Sequence, residues 1–524
     1  MIWEPILFPG TVQLVSVSVF NLIITLLLKY YNMKTKRVIG FIAIIFFTLS
    51  CTESYFNRYP LDALTEGSFY STKEELDFGL NDAYASLKTA YNVYLSIGDL
   101  ASDNAFNSKF NNSLDNISLN ESNVVSTSGI TSSLWNGCYQ VISRSNIILD
   151  KMGKVTLTDA LKNKFEGESK FLRGLMYFNL VRIFGKVPLV LTDIKTTQEA
   201  FAIGQETVDN IYVQIIKDLT DAATLLPTQY TVNADKGRAT SLAAKTLLGK
   251  VYLTQKRYLD AFNILEEVRV TNIHRLLPNY FDVFSASNAN NAEIIFAVQY
   301  ARGFSPSLAN PFQGRNFPNE QIGTAVYLKS GSGELMMTTE LMRAFEKTDK
   351  RMIYTDSLKS IASAPRYLYF SKKYIDLGQT TISDSGSDLM ILRYADLLLM
   401  LAEAKAGLNL PLEALPFITE VRNRAGLLTN ASIAATQESM NLAIEKERRV
   451  EFFSEGHRWF DLLRTGRLQT VMNAHFANGA KYPAEETGWG GPVVSTIADF
   501  ELIFPIPQYE VQLNPGKLIQ NPEY

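Results

Sequence analysis

Two consecutive stretches with helical periodicity and opposite side-chain sizes constrain this chain more than any other feature. Across residues 238–254, Ala239, Ala243, Ala244, Leu247, Leu248 and Val251 recur at three- and four-residue steps and make a face of small side chains. Across 257–269, Tyr258, Ala261, Phe262 and Leu265 repeat the spacing with larger knobs. A small-residue face lets a second helix approach closely, and the short connection leaves room only for an antiparallel return. A second pair of this kind is expected at 389–407 and 411–425.

Further helices are expected along the chain. From Lys73 onward, Leu76, Leu80, Ala83, Tyr84 and Leu87 mark one buried face. Stretches 132–151, 161–184 and 207–226 follow, and Phe184-Gly185-Lys186-Val187-Pro188 ends the second of these, with Gly185 free to take a left-handed cap and Pro188 stopping re-entry. The pairs resemble tetratricopeptide units, although the strict 34-residue motif is absent. Residues 99–129 are crowded with Asn, Asp and Ser, side chains that compete for backbone hydrogen bonds, and are expected to be loop. The segment 271–388 is rich in Gly, Pro, Asn and Ser, with strands expected only at Glu293–Tyr300 and Arg366–Phe370. Residues 468–500, broken by Gly488-Trp489-Gly490-Gly491-Pro492, are similar. The fold class is therefore all-α dominated, a tetratricopeptide-like scaffold of helical pairs with a loop-rich insertion containing minor β-strands.

The N-terminal part speaks of export. Lys34, Lys36 and Arg37 precede an apolar run from Val38 to Leu49, then Ser50 and Cys51, the order of a lipoprotein signal read up to its acylated cysteine. Thr48 stands where an aliphatic residue is usual, and only Glu53 is acidic just beyond the cysteine. Residues 1–32 contain a second apolar run, Val12 to Leu28, at the short limit for a membrane span. The favoured expectation is an upstream extension before a start at Met33, with a transmembrane anchor as the alternative. The chain then divides into the extension at 1–32, a signal peptide at 33–50, a lipidated tether at 51–70, an N-terminal helical region at 71–270, a loop-rich region at 271–388 and a C-terminal helical region at 389–524.

Charge and rare residues narrow the function classes. The net charge of -3 comes from nearly equal numbers of acids and bases, with no Lys/Arg stripe, which argues against nucleic acid. With Cys51 acylated, Cys138 has no disulfide partner and is expected to be a buried, inert thiol. His274, His457 and His475 form no closely spaced pair, so no metal and no cofactor are expected.

The C-terminal third carries the blocks Ala443-Ile444-Glu445-Lys446-Glu447-Arg448-Arg449-Val450-Glu451-Phe452-Phe453 and Glu455-Gly456-His457-Arg458-Trp459-Phe460-Asp461-Leu462-Leu463-Arg464. It closes on Leu502-Ile503-Phe504-Pro505-Ile506-Pro507 and Gln520-Asn521-Pro522-Glu523-Tyr524. Lys170 to Leu189, Glu334 to Arg351, Leu392 to Leu397 and Val421 to Leu427 add separated blocks in the same order. Together these resemble the SusD/RagB family of outer-membrane nutrient-binding lipoproteins of Bacteroidetes. Read physically, the blocks are scaffold. Glu445 can pair with Arg449 one turn on, while Glu451 and Glu455 await basic partners from elsewhere, tying helices together through a partly buried ion network.

The resemblance implies a non-enzymatic protein, displayed on the outer membrane through Cys51. It would bind a glycan or oligosaccharide and pass it to a SusC-like TonB-dependent transporter. Capture of a sugar requires aromatic rings for its apolar C–H faces and polar side chains for its hydroxyls. The expected ligand residues are Asp99, Asp103 and Asn104 in the polar stretch, Phe304, Phe312, Arg315, Asn316, Phe317 and Tyr327 in the irregular centre, and Trp489. Trp135 and Trp459 are expected in the core. The alternatives are a structural lid of the transporter without ligand affinity, and a secreted glycoside hydrolase using two carboxylates.

Overall fold

The computed structural model describes residues 69–108, 111–305, 307–318, 331–359, 367–381, 383–481 and 496–524. The expected signal, tether and lipid site at Cys51, together with Tyr327 and Trp489, lie outside these residues. The body, Tyr70–Tyr524, is a stack of helices. In chain order they are α1 (Lys73–Tyr91), α2 (Leu114–Asn120), α3 (Gly129–Lys151), α4 (Asp159–Phe184), α5 (Thr197–Ala202), α6 (Val208–Leu225), α7 (Ser241–Thr254) and α8 (Tyr258–Arg269). Then come α9 (Phe312–Asn316), α10 (Thr339–Ala344), α11 (Tyr394–Gly407), α12 (Pro411–Arg424), α13 (Gln437–Glu451), α14 (Arg458–Arg464), α15 (Leu468–Lys481) and α16 (Gln508–Leu513).

Neighbours in sequence pack as neighbours in space. Helix α1 packs on α3, α3 on α4, α4 on α6, α6 on α7 and α7 on α8, while α8 meets α11, which pairs with α12. Local chemistry sets the boundaries. Thr72 and Glu75 form a reciprocal capping box at the start of α1. Gly185 ends α4 at a φ of +71°, a conformation that a side chain would strain. The small-against-large packing of α7 on α8 is also present, since a Cβ on Gly249 would come within 2.5 Å of the Leu265 side chain. Cys138, Trp135 and Trp459 are buried in the principal core. Burial pushes the Cys138 thiol pKa well up, which leaves it inert.

Four expectations change. Leu468–Lys481, expected to be irregular, is helix α15, because the turn-forming Gly488-Trp489-Gly490-Gly491-Pro492 run of that stretch lies beyond it. Residues 389–393 are strand rather than helix. β6 (Leu389–Arg393) pairs antiparallel with β2 (Ile294–Val298), and helix begins only at Tyr394. An apolar run of this length satisfies either period, and the partner strand decides. The 99–129 stretch contains helix α2 and, just before it, a wide helical turn at Ser96–Leu100. The 271–388 region supplies three strands of a four-stranded sheet in the order β1-β3-β5-β4, Met336–Met337 (β3), Tyr367–Ser371 (β5) and Thr355–Lys359 (β4), and the 99–129 stretch supplies the fourth, Ala105–Phe106 (β1).

The charged blocks of the C-terminal third meet in the interior. Arg393 is buried, donating to Glu293 Oε1 at 3.0 Å, Glu451 Oε1 at 2.5 Å and both Glu455 oxygens at 2.8 and 2.9 Å. Arg351 joins Asp349, Glu447 and Glu451 at 2.7–2.8 Å, Arg424 adds Glu293 and Glu451, and Lys373 reaches Glu455 at 2.7 Å. Burial pushes the Glu451 carboxyl pKa up, but Arg424, Arg393 and Arg351 outweigh it and hold it well below the usual range. The network joins Glu293, Asp349, Arg351 and Lys373 of the expected loop-rich region to Arg393, Arg424, Glu447, Glu451 and Glu455 of the expected C-terminal helical region. Glu445 and Arg449 do not pair as expected. Arg449 turns to Asp103 and Asn104, and Glu445 takes Arg458 and Arg467.

Candidate functional site

The four-stranded sheet brings together two groups of residues more than two hundred positions apart. Ala105 pairs with Met337 and Phe106 with Met336. Alongside, the Ser108 N–H donates to Gly333 O at 2.9 Å, Gly333 N–H to Phe317 O at 2.8 Å and Leu335 N–H to Arg315 O at 2.9 Å. Ser96 Oγ donates to Glu334 at 2.8 Å. The polar stretch and the irregular centre therefore form one region beside the C-terminal end of α1.

Within it, most expected ligand residues face protein. Asp99 is buried, accepting from Gly456 N–H at 2.9 Å and Asn104 Nδ2 at 3.5 Å, and burial lifts its pKa to about 7. Asp103 is clasped by Arg458 Nε at 2.8 Å and Arg449 at 2.9 Å. Burial would raise its pKa, but the two guanidinium groups hold it well below the carboxylate range. Asn104 Oδ1 accepts from Arg449 Nε at 2.9 Å. Asp103 and Asn104 lie beneath the surface because α13 and α14 supply the arginines that their polarity demands, and Asp99 because the Gly456 N–H between those helices and Asn104 meet its carboxyl group.

The central group divides. Phe312 is fully buried, edge-on to Tyr300, and Phe317 is buried 5.1 Å from Phe370 in a small core with Phe106, Met336 and Leu368. Arg315 donates to Asn92 O and, at 2.7 Å, to Asn92 Oδ1, so its charge caps the C-terminal end of α1. Asn316 is buried, and its Nδ2 donates to Phe312 O at 2.8 Å while Oδ1 has no partner. Phe304 stands apart at 58% exposure.

Phe304 owes its position to residues that sequence reasoning missed. Its loop is closed by a bridge between Ala301 and Leu308 and held by three aspartates of the 376–388 segment. Arg302 meets Asp376 at 2.5 Å, Gly303 N–H donates to Asp384 Oδ1 at 2.9 Å, and Tyr300 N–H donates to Asp388 Oδ1 at 2.9 Å. Burial lifts the Asp388 pKa to about 6, against the Tyr300 N–H and the Lys88 charge. The signal was available as an Asp/Ser/Gly-rich run, but nothing local says which loop its carboxylates hold. The outcome is an aromatic ring presented to solvent on a fastened loop, the geometry on which a sugar face can stack.

The two aspartates expected as ligand residues are occupied by protein donors. Asp103 is committed to arginines and Asp99 points at a backbone N–H. Among the described residues no group of three metal-ligating side chains occurs. His457 is stacked on Phe452, and burial, with Lys250 beside it, drops its pKa to about 3, so it stays neutral.

Comparison with known proteins gives a consistent set of relatives. The family described as "SusD family" matches residues 338–524, and that described as "Starch-binding associating with outer membrane" matches 61–253. A SusD-like protein of Formosa agariphila is 27% identical, over 92% of this chain and 98% of the relative. One from Bacteroides ovatus is 28% identical over 85% of each. Among solved structures, a laminarin-binding SusD-like protein superposes with a TM-score of 0.74 at 28% identity, covering 87% of this chain and all of that one. A SusD homolog from Bacteroides thetaiotaomicron shares the fold with a TM-score of 0.75 at 22% identity.

Proposed function

Since the chain belongs to the SusD family, we propose that it is a non-catalytic binding protein of the outer-membrane surface. It captures a glycan or oligosaccharide and delivers it to a SusC-like TonB-dependent transporter, held at the membrane by lipid on Cys51. The observation that carries this reading is the end-to-end likeness to a laminarin-binding SusD-like protein. Laminarin is accordingly the first glycan to test.

The geometry is compatible with capture without cleavage. A buried ion network fixes the scaffold, and a fastened loop offers Phe304 as a stacking platform. Phe304 is the described residue we assign to ligand contact, with Tyr327 and Trp489 as further candidates outside the described residues. Asp99, Asp103, Asn104, Phe312, Arg315, Asn316 and Phe317 are taken up by protein contacts, and we assign them to shaping the region rather than to touching sugar.

The test is calorimetric titration of the 52–524 fragment with laminarin and a panel of other glycans, followed by a reducing-end assay. Saturable binding with unchanged glycan is expected. New reducing ends would make the protein a hydrolase. Absence of affinity for every glycan, together with tight co-purification with the transporter, would make it a structural lid.

A further inference from the structure

An apolar face with no part in the candidate site lies where α16 folds back toward α3 and the 188–205 segment. Gln508 N–H donates to Ser126 O at 2.8 Å, Asn514 Nδ2 to Ile203 O at 3.2 Å, and Gln205 exchanges two hydrogen bonds with the Ile519 backbone at 2.9 and 3.0 Å. Between these contacts sits a cavity of about 320 Å³ whose wall includes Trp135, Tyr139, Ile194, Phe201 and Leu513. Of its lining, Phe201 and Leu513 are each exposed by more than two fifths, and Leu191, Tyr509 and Ile519, the chain neighbours of the lining residues Val190, Glu510 and Leu518, are exposed as well, the last two by about two thirds. Isolated exposed apolar residues are ordinary, but several on or next to one apolar pocket mark a surface that another molecule covers.

One polar feature specifies that molecule. Glu510 lines the same cavity, half-buried, and its side-chain carboxylate has no hydrogen bond or ion pair among the described residues. Burial raises its pKa. A carboxylate set in an apolar wall is costly until a cation arrives. A Lys or Arg side chain supplies both halves of the complement, an apolar stem for the wall and a charged head for the acid. A second copy offering the same lining brings no cation, and an acyl chain leaves the carboxylate facing hydrocarbon.

We propose that this face docks the outer-membrane transporter, which seats apolar side chains around Phe201 and Leu513 and places a Lys or Arg on Glu510. The inference rests on the transporter partnership proposed above and adds where the contact is made. Aromatic anchors in a desolvated pocket, ringed by weaker contacts, are the arrangement that concentrates binding energy.

The full-length chain is co-expressed with a SusC-like TonB-dependent transporter of the same organism, and the complex is recovered from detergent-solubilised outer membranes through a tag on the transporter. Phe201→Ser combined with Leu513→Ser is expected to lower recovery at least tenfold. Glu510→Arg should lower it more than Glu510→Gln. Glycan affinity and Tm of the soluble protein should stay at wild-type values. Should the double variant lose Tm, the exposed single change Tyr509→Glu decides instead. Wild-type recovery of these variants overturns the proposal. So does a wild-type dimer in sedimentation, or binding to phosphatidylglycerol vesicles, that the same substitutions abolish. Wild-type protein that never co-purifies overturns the transporter partnership itself, and this surface with it.

Discussion

Replacing Arg393 with Met removes one charge from the centre of the buried network while keeping comparable volume against Phe452, over whose ring the guanidinium sits at 4.4 Å. Three carboxylates then lose a partner. Glu455 keeps Lys373, Glu451 keeps Arg351 and Arg424, and Glu293 keeps Arg424. Breaking a buried pair from one side costs about 3–5 kcal/mol because it strands charge without solvent. Unfolding entropy of about 2.1 cal/mol/K per residue, over a body of roughly 450 residues, makes each degree of Tm worth about 1 kcal/mol. Arg393→Met should therefore lower Tm by about 3–5 °C in scanning calorimetry at pH 7, with little dependence on salt because the site is dry. Adding Glu455→Gln should restore part of the loss. As a control, Lys217→Met breaks an exposed pair with Asp221 and should shift Tm by about 1 °C or less. An Arg393→Met protein within 1 °C of wild type, or indistinguishable from the Lys217 control, refutes the claim that this network holds the helices together.

Other predictions follow from single groups. The raised pKa of Asp99 means the folded protein holds a proton that the unfolded chain has released between about pH 4 and 7, so this contribution is full below pH 4 and lost as pH rises through 7. Asp99→Asn should flatten that part of the stability–pH curve and gain on wild type at pH 8, as urea midpoints across pH would show. Asp103 and Glu451 have the opposite sign, since their lowered pKa values give stability present above about pH 4 and lost on acidification, so acid unfolding should begin there. Phe304→Ala should weaken glycan binding roughly fivefold to tenfold, about 1 kcal/mol, without moving Tm. Phe312→Ala, at a fully buried ring, should instead cost about 3–5 kcal/mol of stability. The Cys138 thiol should resist a thiol-labelling reagent in the folded protein and react completely in denaturant.

The sequence by itself showed most of the long helices and the α7–α8 and α11–α12 pairs. Periodicity is a local property, and it set α7 beside α8, although the close approach to the expected Leu265 knob is at Gly249, outside the expected small face at Ala243, Ala244 and Leu247. It also marked the charged blocks as scaffold, since arginines and glutamates at that density among aromatics are tolerated inside only when paired. What it left open were the partners. Glu445 could have bonded Arg449 one turn away, yet Asp103, 346 residues distant in the chain, took that arginine. Leu389–Arg393 satisfied helix and strand alike until β2 lay beside it. The candidate site shows the same division. Asp99, Asp103 and Asn104 read as a polar loop because Asp and Asn favour loops, but burial of Asp103 and Asn104 depended on arginines from α13 and α14, and that of Asp99 on the Gly456 N–H. Phe304 and Phe317 are the same residue type in the same irregular segment, and only the tertiary structure separates them. Three distant aspartates hold one out in solvent, while strands β1, β3 and β5 close over the other. Side-chain chemistry and spacing act over a few residues and are written in order along the chain. Exposure and charge pairing depend on which distant segment arrives, and that is decided only when the whole chain packs.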